Sequence, residues 1–443
     1  MNSTNITGNR LATHPHPSKR RNLIAGAIGN AIEFYDFIIY AYLAQFFAAH
    51  FFPSHDPVTG LIATYGGFAA GMLMRPIGGM VIGSIGDRIG RNFALQLSVV
   101  MISIPTFLIG LLPTYGTIGI WAPVLLLLMR LIQGLSLGGE YSAAVVFLVE
   151  RASPHQRGFA GSFSPLGVVF GMVLGSAVIF ICIAILSPKV MSEWGWRVPF
   201  IASAFLTLFG MYIRKGMSPD EQSPSIDPPQ SPVMEAFKQY WREMLAMGLA
   251  NAVAGVMGFV GFMYVVTWMV REAGISHSVA LSVNFVSLLL CCLFNLLAGK
   301  LSDQFGWRRT VMLGATLSLI GAWPAFILFK TGVLPLMIMG SLIIALAQGF
   351  FTGPFCACMA SLVPPRLRVT VIAFGFSASM GIFGGLSPML TEYLAGRLGL
   401  TMAPALMIAG SAVISLLTLT LHPLWRRHVQ RFPEDRIPAV HQR

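Results

Sequence analysis

The chain has 443 residues, of which 55% are hydrophobic and only 10% are charged, whereas soluble domains carry about 25% charged residues. Its mean hydropathy is +0.72, and its apolar runs approach the roughly 20 residues that cross a bilayer as a helix. This composition excludes a soluble globular protein. It predicts an all-α integral membrane protein with several transmembrane helices.

The apolar runs predict twelve spans in two six-helix bundles. The first six spans cover residues 23–49, 60–85, 92–112, 119–149, 158–187 and 197–213. The last six cover residues 244–270, 279–300, 310–329, 333–357, 369–395 and 402–422. The regions outside the bundles are predicted to be a disordered cytoplasmic tail (1–22), a cytoplasmic linker rich in Pro and Ser (214–243) and a second cytoplasmic tail (423–443).

The formal net charge of +12 does not indicate a nucleic-acid partner, because the basic residues do not form one patch. They recur in alternate loops between the predicted spans, and the intervening loops hold few of them. This alternation is the positive-inside pattern of membrane proteins. It predicts that both termini are cytoplasmic.

The five cysteines all lie in apolar runs, which argues against a disulfide framework or a metal site. The sequence also holds no nucleotide-binding loop and no set of residues typical of a catalytic nucleophile. We therefore expect no enzyme activity and no cofactor apart from a proton as coupling ion.

Charged residues inside the predicted spans are the first functional candidates, since each costs about 2.5–3.5 kcal/mol to insert. Glu33, Asp36 and Tyr40 stand at i, i+3 and i+7, so they share one face of the first helix. No histidine lies deep in a span, so a carboxylate is the expected proton carrier. The open alternative is a static buried ion pair.

A second set of polar residues lies on the fourth span. Arg130, Gln133 and Tyr141 follow a helical spacing, with Glu140 beside them. Two carboxylates on one helix and an arginine on another form a plausible proton switch, because losing a proton would restore the ion pair. The sequence therefore predicts Asp36, Glu33 and Arg130 as proton-coupling residues.

The candidates for substrate binding are less sharply defined. Arg75 precedes Pro76 in the second span, and its planar guanidinium suits a carboxylate. A structural role at a proline kink is equally open for Arg75. Asn251 and Tyr264 in the seventh span are predicted to line a cavity, with helix packing as the alternative. The predicted substrate-binding residues are Arg75, Tyr40, Gln133, Glu140, Tyr141, Tyr264 and Asn251.

A turn rich in glycine and charge occurs once in each half, at residues 83–91 (GSIGDRIGR) and 299–309 (GKLSDQFGWRR). The first copy resembles the loop 2–3 signature of the major facilitator superfamily. Residues 29–37, 74–79, 130–141, 193–200 and 382–388 resemble one branch of that superfamily, the metabolite–proton symporters. The resemblance covers nearly the whole chain from about residue 22 to residue 425.

The resemblance implies two six-helix halves that rock about a central site and take up a small metabolite with a proton. It matches Asp36 to a proton-site carboxylate and Arg130 to the arginine that pairs with it. It also implies a gating loop whose acidic residue can lie at a helix N-terminus of the other half. The predicted gating residues are Gly83, Asp87, Arg88, Gly90, Arg91 and Asp303. The second copy departs from the signature at Gln304 and Trp307, which favours the first copy as the gate.

Members of this branch carry tricarboxylates such as citrate, 2-oxoglutarate, shikimate, or zwitterions such as proline and betaine. The stretch around residues 51–141 and the segment 383–385 most resemble the di- and tricarboxylate carriers. We therefore predict proton-coupled symport of a small organic acid in a bacterial inner membrane, by a monomer. Uptake of betaine, proline or shikimate is the alternative of the same class, and a nutrient sensor without transport is the alternative of another class.

Overall fold

The computed structural model describes residues 19–89, 91–215 and 232–427. Within them the chain forms twelve helical spans, α1 to α12, several of which contain two or more consecutive segments. In the first half these are α1 (Lys19–Tyr42, Ala44–Phe51), α2 (Pro57–Leu73, Arg75–Ile89), α3 (Arg91–Leu111), α4 (Trp121–Ser136, Glu140–Glu150), α5 (Arg157–Gly161, Phe163–Ile185) and α6 (Val198–Lys215).

The second half repeats this arrangement of six spans. They are α7 (Pro232–Ala250, Ala252–Val256, Met257–Tyr264, Val265–Glu272), α8 (His277–Phe305), α9 (Trp307–Lys330), α10 (Leu334–Leu362), α11 (Arg368–Ser379, Met380–Gly385, Leu386–Gly396) and α12 (Ala403–Leu421). Short helices at Tyr115–Ile118, Pro188–Glu193 and Pro423–Arg427 lie between or after the spans. In the described residues, nine helical stretches are long and apolar enough to cross a membrane.

Local sequence signals explain several helix boundaries. Asp56 caps α2 by accepting hydrogen bonds from the backbone of Val58 and Thr59, and Pro57 occupies the first helical position. Ser276 caps α8 in the same way. Gly306 separates α8 from α9 with a φ of 92°, a conformation that favours glycine.

The helix bounds depart from the sequence prediction at several places, since Lys215 ends α6 and residues Pro423–Arg427 also form a helix. Residues 19–22 belong to α1 rather than to a tail, whereas residues 1–18 lie outside the described part. Residues 232–243, assigned above to the linker, form the start of α7, with a kink at Tyr240. This segment holds four charged residues (Glu235, Lys238, Arg242 and Glu243), so its composition does not match that of an apolar span.

Within the first half, small residues allow backbones to pack closely, as is common in lipid. A Cβ atom added to Gly134 of α4 would lie 1.8 Å from the carbonyl oxygen of Gly71 in α2. This contact holds α4 against α2. The two spans thereby bring Arg130 and Arg75 toward α1, where the buried carboxylates lie.

The two halves meet along α2 with α11 and along α5 with α8. Two short π-helical segments, Met257–Tyr264 in α7 and Met380–Gly385 in α11, lie in the middle of this interface. Such irregular turns often occur at functional sites. The first of them contacts α1, since the Tyr42 hydroxyl donates to the Phe262 carbonyl at 3.3 Å.

Candidate functional site

The charged face of α1 is fully inside the protein. Glu33, Asp36 and Tyr40 expose at most 4% of their surface, so the predicted helical face is a buried one. Neither carboxylate oxygen of Asp36 has a hydrogen-bond partner. A buried carboxylate without a partner is costly in its charged form, and such residues inside membrane helices mark proton or substrate sites.

Arg130 lies on the aromatic rings of α1. Its guanidinium carbon is 3.6 Å from the ring centre of Tyr40 and 5.4 Å from that of Phe37. Three of its nitrogens have no hydrogen-bond partner, although Asp36 is within electrostatic range. The direct Arg130–Asp36 pair implied by the resemblance is therefore not formed in this structure, because the guanidinium stacks on Tyr40 instead.

The two hydroxyls beside Asp36 already donate elsewhere. The hydroxyls of Thr106 and Ser203 lie beside the carboxylate, yet each donates to a backbone carbonyl of its own helix. Gln133 donates from Nε2 to Thr106 at 2.7 Å, and its Oε1 has no partner. Gln133 thus belongs to the Asp36 site, as predicted from its spacing on α4.

Arg75 forms a second buried positive charge. It is fully buried, and its Nε and Nη2 atoms have no hydrogen-bond partner. The Phe34 ring is 5.7 Å away, and Glu33 and Tyr141 lie within electrostatic range. Two nitrogens of this buried guanidinium are thus free to donate hydrogen bonds, and a carboxylate binds a guanidinium through two such bonds.

Tyr141 joins the two halves next to this arginine. Its ring stacks on Phe376 of α11 with centres 4.2 Å apart and planes 10° apart, and its hydroxyl is 3.3 Å from the Cys356 sulfur. Glu140, by contrast, is only half-buried and begins the second segment of α4.

The predicted cavity residues of α7 already have partners within the second half. Tyr264 donates to Glu392 at 2.9 Å, and Glu392 also pairs with Arg271. Asn251 donates to Ser379 of α11 at 3.3 Å. Both residues connect α7 to α11, which supports the packing alternative raised above for these positions.

Sequence reasoning missed the Glu392–Arg271 pair. The Glu392 side chain is 0% exposed and the Arg271 side chain 28% exposed. The available signal was an acidic residue near the end of a predicted span. Its partner lies 121 positions earlier, and helical spacing relates residues only within one helix.

The two halves are in contact at the end of the bundle where α5 begins. We call this end the basic end. Asp303 accepts hydrogen bonds from the backbone nitrogens of Gly158 and Phe159 at 2.7 and 2.9 Å. Arg368 of α11 pairs with Glu150 of α4 at 2.5 Å. The sequence favoured the first copy of the repeated turn for contact with a helix N-terminus of the other half. In the structure the second copy makes such a contact, through Asp303.

The first copy of the turn is described only in part. Gly83 and Asp87 lie in the helical segment Arg75–Ile89, and Arg91 begins α3. Their side chains, and that of Arg88, lie outside the described part, as does Gly90 altogether. The gating role of this copy stays a prediction.

The opposite end is also closed between the halves. Arg397, just after α11, pairs with Asp56 at 2.6 Å and donates to the Thr59 hydroxyl. The Tyr65 hydroxyl meets that of Thr267 at 2.9 Å. Contacts between the two halves therefore occur at both ends of the bundle.

Comparison with known proteins identifies the class. A family model described as Major Facilitator Superfamily matches residues 26–388, and also 255–440. The chain belongs to this superfamily of membrane transporters and is not an enzyme. The fold agrees, since the D-xylose–proton symporter structure superposes with a TM-score of 0.68 over 89% of this chain and 97% of that one, at 17% identity.

The curated relatives are more specific about the branch. The proline/betaine transporter of Escherichia coli (strain K12) is 33% identical over 90% of this chain and 82% of its own length. A glycine betaine/proline/ectoine/pipecolic acid transporter of Dickeya dadantii is 32% identical over 90% of this chain. These relatives favour the zwitterion alternative over the organic-acid prediction made from the sequence, whose citrate assignment they do not support.

Proposed function

We propose that this protein is a proton-coupled symporter of a zwitterionic compatible solute of the betaine or proline class. The similarity to proline/betaine transporters over 90% of the chain carries this proposal. The substrate would bind between the two halves, and contacts at either end would open alternately. Shikimate and organic acids are the competing substrates.

The charge balance of the site supports a zwitterion. The buried cluster on α1, α2 and α4 holds two carboxylates, Glu33 and Asp36, and two guanidinium groups, Arg75 and Arg130. The cluster is net neutral while Asp36 is ionised and carries one positive charge once Asp36 takes up a proton, so it suits a ligand with one charge of each sign better than a polyanion. A tricarboxylate would leave uncompensated negative charge in this environment, which is expensive when water is excluded.

The residues divide into two roles under this proposal. Asp36 is the proton carrier, with Arg130 as the charge that stabilises its ionised form once the guanidinium leaves Tyr40. Arg75 offers two unpaired nitrogens to the substrate carboxylate. Glu33, Gln133 and the rings of Tyr40 and Tyr141 would complete the site around the cationic group.

The same proposal includes the setting of the protein. The alternation of basic loops favours an orientation in which the basic end and both termini are cytoplasmic. The relatives' bacterial origin favours the inner membrane. The charges of the buried cluster on α1, α2 and α4 all lie within the first half of one chain, which supports function as a monomer.

Uptake into proteoliposomes with an imposed inward proton gradient tests the proposal. Labelled glycine betaine, proline, citrate, 2-oxoglutarate and shikimate are offered in parallel, with a protonophore as control. We expect accumulation of betaine or proline that the protonophore abolishes. Accumulation of an organic acid alone would overturn the substrate class. Binding without uptake in sealed vesicles would overturn transport and indicate a sensor.

A further inference from the structure

The start of α7 carries an exposed apolar stripe that the transport cycle does not use. Met234 and Phe237 precede the bend at Tyr240, and Trp241 and Leu245 follow it; all four side chains are exposed. Their exposed fractions are 57%, 37%, 50% and 52%. We call these four residues the interfacial stripe.

The opposite face of the same segment packs against the protein. Ala236 and Met244 are buried, and Glu235 pairs with Arg366 at 3.1 Å. Phe237 lies at the edge of the stripe, because its partly exposed ring also meets the Phe374 ring of α11 with centres 4.5 Å apart. The segment is therefore fixed in place by α11 and the turn before it. The helix is therefore anchored on its inner face, and the stripe lies on its outer face.

The stripe lies at the level where the spans of the basic end begin. Met244 packs beside Gly375, which is about two turns inside α11. The first residues of α7 therefore lie near the start of α11, in agreement with the pair of Glu235 with Arg366. Tyr240 has non-helical dihedral angles, φ −121° and ψ 18°, so the helix changes direction at this boundary.

Two basic residues lie beside the stripe. Lys238 and Arg242 are exposed, and the Arg242 guanidinium carbon is 5.4 Å from the Trp241 ring centre. An apolar face bordered by a tryptophan and cationic groups is typical of a helix in the membrane interface. The stripe is also continuous, through Leu245, with the lipid-facing side of α7.

We propose that the start of α7 binds the headgroup of an anionic phospholipid from the leaflet at the basic end. The interfacial stripe lies at the boundary between headgroups and acyl chains, and Lys238 and Arg242 contact the lipid phosphate. Because Glu235 and Phe237 join this segment to α11, a bound lipid would act on the helix that carries Arg368. The site is independent of the substrate identity proposed above.

Quenching of Trp241 by brominated lipids tests this site. The full chain is placed in phosphatidylcholine nanodiscs containing either brominated phosphatidylglycerol or brominated phosphatidylcholine at the same mole fraction. The Trp241 signal is the difference between each protein and its Trp241→Phe counterpart. We expect stronger quenching by the anionic lipid, with about fivefold enrichment for each basic residue, and a decrease of this preference at high salt.

Charge-removal variants give the decisive comparison. Lys238→Gln/Arg242→Gln should abolish the preference for the anionic lipid, whereas Lys300→Gln/Arg309→Gln removes the same charge from exposed positions at the same end and should retain it. Equal loss in both variants, or equal quenching by both lipids, would overturn the site. Absence of quenching by either lipid would mean that another copy or chain segment covers the stripe. The measurement needs no transport, so it is separate from the test of the proposed function.

Discussion

Arg130 holds a positive charge in the protein interior with an aromatic ring as its nearest neighbour. Its guanidinium carbon is 3.6 Å from the Tyr40 ring centre, and a desolvated cation–π contact contributes about 2 kcal/mol or more. The Tyr40 hydroxyl separately donates to the Thr64 carbonyl at 3.0 Å. Substitutions can therefore remove the hydrogen bond of Tyr40 alone or its ring contact as well.

Replacing Tyr40 by leucine should destabilise the protein more than replacing it by phenylalanine. Tyr40→Phe keeps the ring under Arg130 and loses only the hydrogen bond, which contributes about 1 kcal/mol. Tyr40→Leu should lower the free energy of unfolding by about 1–2 kcal/mol more. Thermal unfolding in detergent measures both, and equal losses would show that the ring contact contributes nothing.

Replacing Asp36 by asparagine should uncouple transport from the proton gradient. The amide keeps the shape of the side chain but cannot carry a proton between its two states. We expect Asp36→Asn to abolish gradient-driven accumulation of the substrate while exchange of labelled for unlabelled substrate continues. Uphill uptake by this variant would assign the proton to another group, with Glu33→Gln as the comparison.

The sequence predicted part of this site for a clear reason. Glu33, Asp36 and Tyr40 lie on one helix, so spacing alone places them on one face. The stacking of Arg130 on Tyr40 and the pairing of Glu392 with Arg271 join different helices. No spacing encodes such contacts, because they depend on how the helices cross.

Helix α4 lies close enough to α2 that only a glycine fits at the contact. A Cβ atom on Gly134 would meet the Gly71 carbonyl oxygen at 1.8 Å. We expect Gly134→Ala to lower the free energy of unfolding by about 2–3 kcal/mol through overpacking, and to displace Arg130. Both effects appear as a lower thermal unfolding temperature and weaker substrate binding.

Gly410 supplies the matched control for this prediction. It is also helical, in α12, and a Cβ atom added there would meet nothing within 4 Å. Gly410→Ala should leave stability unchanged or raise it by up to about 1 kcal/mol, since alanine favours the helix. If both variants lose stability equally, the close contact of α2 with α4 is not the cause.

The N-terminal cap of α2 responds to pH in a defined direction. Hydrogen bonds from the Thr59 hydroxyl and the Val58 backbone, with the nearby Arg397, hold the pKa of Asp56 below its ordinary value. A depressed pKa means that the stabilisation is complete above about pH 3.9 and is lost only as the pH falls through the folded pKa. The cap and the Arg397 pair therefore persist in mild acid.

The loss of stability in Asp56→Asn should accordingly be the same at pH 5 and at pH 8. Thermal unfolding of the variant and the unchanged protein at both values checks this expectation. A difference between them that shrinks on going from pH 8 to pH 5 would show that Asp56 takes up a proton in that range, contrary to the hydrogen bonds it accepts.

At the scale of the whole molecule, the duplication was readable from the sequence and the state of the two ends was not. Twelve apolar runs and a repeated turn predicted two six-helix halves, and the structure has twelve spans in that order. Which ends are closed depends on contacts such as Asp303 with Gly158 and Arg397 with Asp56. These residues fit the helical pattern equally well in an open state, so the pattern carries no information about it.

Removing the contact at one end should shift the conformational equilibrium in the opposite direction from removing the contact at the other end. Asp303→Asn removes the negative charge that accepts two backbone hydrogen bonds at the N-terminus of α5, and such bonds contribute about 1.5–3 kcal/mol each. Arg397→Gln removes the pair with Asp56 at the other end. Asp303→Asn should therefore favour opening at the basic end, and Arg397→Gln opening at the opposite end.

Spin-label distances measure both effects. Labels at the exposed positions Ser153 and Arg309 report on the basic end, and labels at His55 and Leu398 report on the opposite end. Asp303→Asn should lengthen the first distance in at least a tenfold larger fraction of molecules, since about 1.4 kcal/mol changes an equilibrium tenfold. Arg397→Gln should lengthen only the second distance, and by less, because the pair is partly exposed. If either variant lengthens both distances together, the halves separate as a whole and the ends do not alternate.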